Sequence, residues 1–210
     1  MSVDLGPKAA LIVVDVQNDF TDPRGSLYVT DGEAVVPVIN EQVKAARILE
    51  ALVVYTQDWH PTSTPHFQKD GGIWPVHCVK ETWGAEFHPD LEVVGESLKK
   101  GTGGEDGYSA FSVRDPRSGE TAPTRLEAIL RERGVGAVTV CGLATDYCVV
   151  ETVLDALRLG FSTSVPSEAI RAVDLHAGDG DRALERMRDG RGRRLAPAVQ
   201  GHQLWHCGQK

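Results

Sequence analysis

The chain has 210 residues, 41% hydrophobic and 25% charged, with a formal net charge of −8. That suits one globular domain with a full core. The acidic balance argues against nucleic acid or an anionic membrane as the main partner, because phosphate binding needs a basic face.

No apolar run reaches the roughly 18 residues of a membrane span. The start, Met1-Ser-Val-Asp-Leu-Gly-Pro-Lys, lacks the features of a secretory signal. A cytoplasmic location is the expectation. Cys78, Cys141, Cys148 and Cys207 form no CxxC pair and read as thiols.

Ala9-Ala-Leu-Ile-Val-Val-Asp15 is a continuous apolar run ending in a carboxylate, the pattern of a strand buried on both faces of a parallel sheet. A turn-rich loop follows at Asp22-Pro-Arg-Gly25. Residues 33–49 place Val35, Val36, Ile39, Val43, Ala46 and Leu49 on one helical stripe. Leu52–Thr56 is a second strand running into Gln57-Asp-Trp-His60. Residues 61–95 have no clear period, and so long a loop in a compact domain is more often functional than idle.

Glu96–Lys100 reads as a short third strand, followed by a glycine-rich loop to Tyr108-Ser-Ala-Phe111. Thr124-x-x-Glu127 matches a capping box ahead of a helix that Gly134 closes. Val135–Cys141 is a fourth strand, and Cys148 opens a helix to Gly160. Phe161–Val165 is a fifth strand, and residues 181–188 a last helix. The sixth strand falls on either Arg194-Leu-Ala or Gln203-Leu-Trp, and residues from about 198 to 210 read as a loose tail.

This alternation predicts a single α/β domain over 1–210, three-layer αβα, with a central, mainly parallel six-stranded sheet and Rossmann-type winding. Such sheets bind ligands beyond the carboxyl ends of their strands. Asp15, Asp58, His60, Lys100 and Cys148 all fall there.

Cys148 stands where a strand turns into a helix. Unpaired N–H groups and the helix dipole in such a place lower a thiol pKa from about 8.5. A buried free cysteine is also an ordinary small core residue. Asp58, His60, His66 and His77 put one carboxylate and three imidazoles within twenty residues, a pattern suited to a transition metal. Loop histidines also cap turns, and spacing alone leaves both readings open. Asp15 and Lys100 are delivered to the same crevice as the thiol, where a lysine would lower both acidic pKa values.

Taken as a set, Ile-Val-Val-Asp15-Val-Gln-Asn-Asp-Phe, Asp58-Trp-His60 with His66-Phe, Trp74-Pro-Val-His77, Lys100-Gly with Tyr108-Ser-Ala-Phe, and Gly142-Leu-Ala-Thr-Asp-Tyr-Cys148-Val resemble the nicotinamidase/pyrazinamidase family of isochorismatase-like cysteine hydrolases. The resemblance runs from about residue 9 to 188. It implies a catalytic triad of Asp15, Lys100 and Cys148. It implies one divalent metal, zinc first and iron or manganese otherwise, on Asp58, His60 and His77, with His66 as a further ligand in some members. It also implies a cis peptide at Leu143–Ala144 and an oxyanion hole from the N–H groups of Ala144 and Cys148. Phe20, Leu27, Trp74 and Tyr108 match pocket positions, with Leu143 and Tyr147 beside them. The implied activity is hydrolysis of nicotinamide and pyrazinamide-like aromatic amides to acid and ammonia through a thioester. The implied partner is a small aromatic amide, with no nucleic acid or membrane, and the protein a monomer or small homo-oligomer. Gln57 departs from the basic residue common before the metal-binding aspartate, and His206 and Cys207 have no counterpart role.

Overall fold

A computed structural model describes residues 5–190, 195–196 and 204–207. Ten strands and five α-helices occur among them. In chain order these begin β1 (Ala9–Val14), α1 (Asn18–Thr21), α2 (Val35–Ile48), β2 (Leu52–Asp58) and β3 (Glu96–Lys100). The hairpin β4 (Ser112–Arg114) and β5 (Thr121–Pro123) follows, then α3 (Leu126–Glu132), β6 (Ala137–Leu143) and α4 (Val150–Arg158). The chain continues through β7 (Ser162–Pro166), β8 (Ile170–Arg171), α5 (Asp179–Asp189), β9 (Leu195–Ala196) and β10 (Leu204–Cys207).

The main sheet runs in the order β3-β2-β1-β6-β7-β10-β9, with the two-residue β8 beside the end of β6. Five strands, β3, β2, β1, β6 and β7, pair in parallel, and β10 closes on β7 antiparallel. That is the expected mainly parallel sheet. Both segments weighed for the sixth strand form strands, paired antiparallel to each other. The expected loose tail, 198–210, otherwise lies outside the described residues.

β1 shows why three layers form. All six of its residues are buried. Alternate side chains point to opposite faces of a strand, so Ala10, Ile12 and Val14 enter one core and Leu11 and Val13 the other. The first core is covered by Leu126 and Leu130 of α3, Val150 and Val153 of α4, and Met187 of α5. The second is covered by Val35, Ile39 and Val43 of α2. No helix among the described residues is long and apolar enough to cross a membrane.

Two local expectations change in the structure. At α3 only half of the capping box forms: the Thr124 hydroxyl accepts the Leu126 N–H at 3.2 Å and donates to the Ala110 carbonyl at 2.6 Å. Glu127 turns forward to Arg131 at 3.3 Å, an i,i+4 pair. At the other site, Cys148 does not open an α-helix. A π-helical turn, Thr145–Val149, precedes α4 and carries the thiol, an arrangement often found at functional sites.

The β6 exit depends on Gly142. Its φ is +111°, and a Cβ there would lie 2.0 Å from the Val14 carbonyl oxygen of the neighbouring strand. Gly142→Ala is therefore expected to cost about 2–4 kcal/mol, through left-handed strain and overpacking together. Urea unfolding measures it, and a loss below about 0.5 kcal/mol would refute the close approach.

Candidate active site

The carboxyl ends of β3, β2, β1 and β6 lie side by side, and each contributes to one buried cluster. Lys100 ends β3. Its ammonium donates to Asp15 Oδ2 at 2.8 Å, to Asp58 Oδ1 at 2.9 Å and to the Gly107 carbonyl, and lies 3.8 Å from Cys148 Sγ. The side chains of Lys100 and Asp15 are both fully buried. Asp15 sits just past β1 with φ +50°, a left-handed conformation that aspartate tolerates better than most residues. The Thr56 hydroxyl donates to its Oδ1 at 2.6 Å. The Asp15, Asp58 and Cys148 ligand atoms all lie within 4.8 Å of one another.

Burial dominates the protonation of this cluster. It pushes the Cys148 thiol well above its usual range; Lys100 pulls it down but does not win. Asp15 is likewise raised, by burial first, against the pull of Lys100. Burial opposes the charge on Lys100, but Asp15 and Asp58 hold its pKa well above the ordinary value. The expectation that helix terminus and lysine would leave both acids depressed is thus corrected. Removing water from the pocket costs the anions more than one lysine returns. The site rests with a neutral thiol beside a carboxyl group that is its hydrogen-bond partner.

A second cluster lies across Asp58. Burial favours the neutral Asp58 carboxyl, but Lys100, His60 and His77 together lower its pKa. Its Oδ2 is 3.8 Å from His60 Nε2 and 3.9 Å from His77 Nε2. One ring nitrogen from each of His60, His66 and His77 lies within 4.8 Å of the others. Burial brings the His77 pKa down to about 4, so this imidazole is neutral. His77 Nδ1 is bonded to the Pro75 carbonyl at 2.8 Å, leaving Nε2 free. Both ring nitrogens of His60 are buried with no hydrogen-bond partner among the described residues. Leaving such groups unpaired is costly, and a cation among three imidazoles and a carboxylate removes the deficit. The four residues therefore fit a divalent metal. Gly101 makes room for the His60 ring: a Cβ there would lie 2.7 Å from it.

All six expected pocket residues, Phe20, Leu27, Trp74, Tyr108, Leu143 and Tyr147, line one cavity together with Asp58, His66, His77, Ala144 and Cys148. Val173 lines it as well and was not anticipated. Aromatic and apolar side chains make up most of its wall. Trp74 and Tyr147 meet edge to face at 4.7 Å, and the Trp74 indole donates to the Tyr108 hydroxyl at 2.8 Å. The Leu143–Ala144 peptide is cis, as expected.

Gln17 and Asp19 belong to the quoted β1 motif, but their roles were not legible. The Gln17 side chain accepts the Asp58 N–H and donates to the Asp58 carbonyl, each at 2.8 Å, which fixes the ligand-bearing end of β2. Asp19 accepts the Cys78 N–H at 2.7 Å and so anchors the residue after His77. Gln57, the departure from the expected basic residue, instead bridges Ser97 and the Ala85 carbonyl.

The sequence matches the isochorismatase domain model over residues 9–198. The chain belongs to the isochorismatase family. Among curated members it is 41% identical to the nicotinamidase/pyrazinamidase of Mycobacterium tuberculosis, over 80% of this chain and 86% of that one. It is 35% identical to the nicotinamidase of Escherichia coli, over 86% and 91%. The pyrazinamidase of Pyrococcus horikoshii, solved with zinc, superposes with a TM-score of 0.77 at 40% identity, covering 88% of this chain and 96% of that one. PnC1 of L. infantum, solved with nicotinate, superposes with a TM-score of 0.81 at 34% identity, over 90% and 93%. The three-layer fold is thus the isochorismatase-like one.

Proposed function

We propose that this isochorismatase-family chain is a metal-containing cysteine amidase that hydrolyses nicotinamide to nicotinate and ammonia. The observation that carries the reading is the shared position of Asp58. One of its oxygens meets Lys100 of the thiol cluster, and the other faces the imidazole cluster. A largely aromatic cavity is lined by Cys148 of the first cluster and by His66 and His77 of the second.

In this reading Asp15, as carboxylate, takes the proton of the Cys148 thiol. The thiolate attacks the carboxamide carbon, and the N–H groups of Ala144 and Cys148 receive the developing oxyanion. Asp15 returns its proton to the nitrogen as the C–N bond breaks, and ammonia leaves behind a Cys148 thioester. Asp15 then deprotonates a water that attacks the thioester carbon. The C–S bond breaks, the proton on Asp15 returns to sulfur, and nicotinate departs. Lys100 stays cationic throughout and holds whichever of Asp15 or Cys148 carries the negative charge. Trp74, Tyr108, Tyr147 and Phe20 keep the ring flat and exclude water. A divalent ion, with zinc the first expectation, would be held by Asp58, His60, His66 and His77 and would supply a Lewis-acidic contact for the pyridine nitrogen.

The decisive assay is ammonia release from nicotinamide and from pyrazinamide, with metal analysis of the same sample. Turnover of both is expected, together with about one divalent ion per chain. Chelation should abolish turnover, and added zinc should restore it. Failure to release ammonia from either amide in metal-loaded protein would overturn the reading.

A further inference from the structure

We propose that Asp106 is a positioning residue for the metal centre, holding the His66 ring so that its Nε2 faces the other two imidazoles. The inference rests on the metal-containing reading above and assigns it a residue that the reading does not use.

Asp106 Oδ1 lies 2.7 Å from His66 Nδ1, and the two side chains are 15% and 5% exposed. A carboxylate can only accept a hydrogen bond, so Nδ1 is the donor and Nε2 is the ring nitrogen left to face an ion. Among the described residues His66 is the ion-pair partner recorded for Asp106.

The three imidazoles are fixed in three different ways. His77 is held through Nδ1 by the backbone carbonyl of Pro75. His60 makes no hydrogen bond through either ring nitrogen among the described residues and is held by packing, stacked on His66 at 4.8 Å and against the edge of Phe67 at 5.4 Å. His66 depends on a charged side chain 40 residues away in sequence. Because His60 stacks on His66, a loose His66 ring would release both.

Asp106 is itself well placed to set a direction. Its backbone exchanges both hydrogen bonds with Arg114 of β4, at 2.8 and 2.9 Å. The preceding loop is tied down by the Thr64 hydroxyl, which donates to the Gly104 carbonyl at 2.7 Å. The next residue, Gly107, carries the carbonyl that accepts from the Lys100 ammonium. A carboxylate behind a ligating imidazole fixes its tautomer and orientation and raises its basicity, and loss of such a partner typically weakens a metal site about 10- to 100-fold.

The test uses zinc and cobalt ions alone on the purified full chain, with folding checked by circular dichroism. Zinc affinity is read by chelator competition for the parent protein, Asp106→Ala and Asp106→Asn. About 10- to 100-fold weaker zinc binding is expected for Asp106→Ala. Asp106→Asn, which keeps an acceptor but loses the charge, should fall between the two. If the alanine protein does not fold, the asparagine protein carries the comparison. The visible absorption of the cobalt-loaded variants should shift relative to the parent, a change that a purely structural role would not produce. Zinc affinity within twofold of the parent in a folded variant overturns the role of Asp106 alone. A parent chain that binds no zinc overturns the metal reading, and this inference with it.

Discussion

Cys148→Ala is expected to reduce ammonia release from nicotinamide by at least about 10⁴-fold, because Cys148 is, among the described residues, the thiol that lines the cavity and sits with Asp15. The substitution removes a single sulfur from a side chain that is 7% exposed. Its partners are Lys100 and Asp15, which keep each other satisfied at 2.8 Å without it. Fold and metal content should therefore be unchanged, so loss of turnover is not confused with loss of structure. Thermal melting and metal analysis of the same sample check this. Near-normal ammonia release from a folded, metal-loaded variant would remove Cys148 from the chemistry.

Lys100→Met is expected to damage both activity and stability. The methionine retains the apolar stem but removes the cation between Asp15 and Asp58, both buried. Breaking a buried ion pair by removing one partner typically costs about 3–5 kcal/mol, because the remaining charge cannot be solvated. Urea unfolding of the metal-free protein at neutral pH measures this. Without the lysine both carboxyl groups become harder to ionise in the folded state than in the unfolded one. The deficit should then grow as pH rises through the ordinary carboxylate range and shrink as pH falls below it. A variant within about 1 kcal/mol of the parent at neutral pH would show that the cluster does not need its cation.

The sheet was legible because burial on both faces leaves a simple trace. The run Ala9–Val14 has no polar residue to interrupt it, and all six residues are buried. The hairpin β4–β5 was not legible. Its residues are half-buried or exposed, so no hydrophobic period marks it, and its role comes through the backbone pairing of Asp106 with Arg114. The site divided in the same way. Residues at strand ends could be placed from topology alone, which brought Asp15, Asp58, Lys100 and Cys148 together. The partners that aim those residues act across long separations, such as Gln17 on Asp58, 41 residues apart, and no local spacing reports them. The direction of the Cys148 pKa was missed for a related reason. The pattern shows a thiol beside a helix, whereas its protonation depends on how much water the pocket excludes.

The strand order carries a consequence for how activity is acquired. Along the sheet the site reads Lys100, Asp58, Asp15, Cys148, but along the chain it reads 15, 58, 100, 148. The first three are brought together by the pairing of β1 with β2 and β2 with β3. The nucleophile arrives only when β6 inserts on the far side of β1, matching Val14 to Gly142. That contact closes a loop of more than a hundred residues, and such non-local pairings are slow to form. A chain in which β6 has not yet docked therefore holds its thiol apart from its acid and its lysine. Recovery of amidase activity during refolding should trail the recovery of helical signal, with the β1–β6 closure as the event that switches the thiol on.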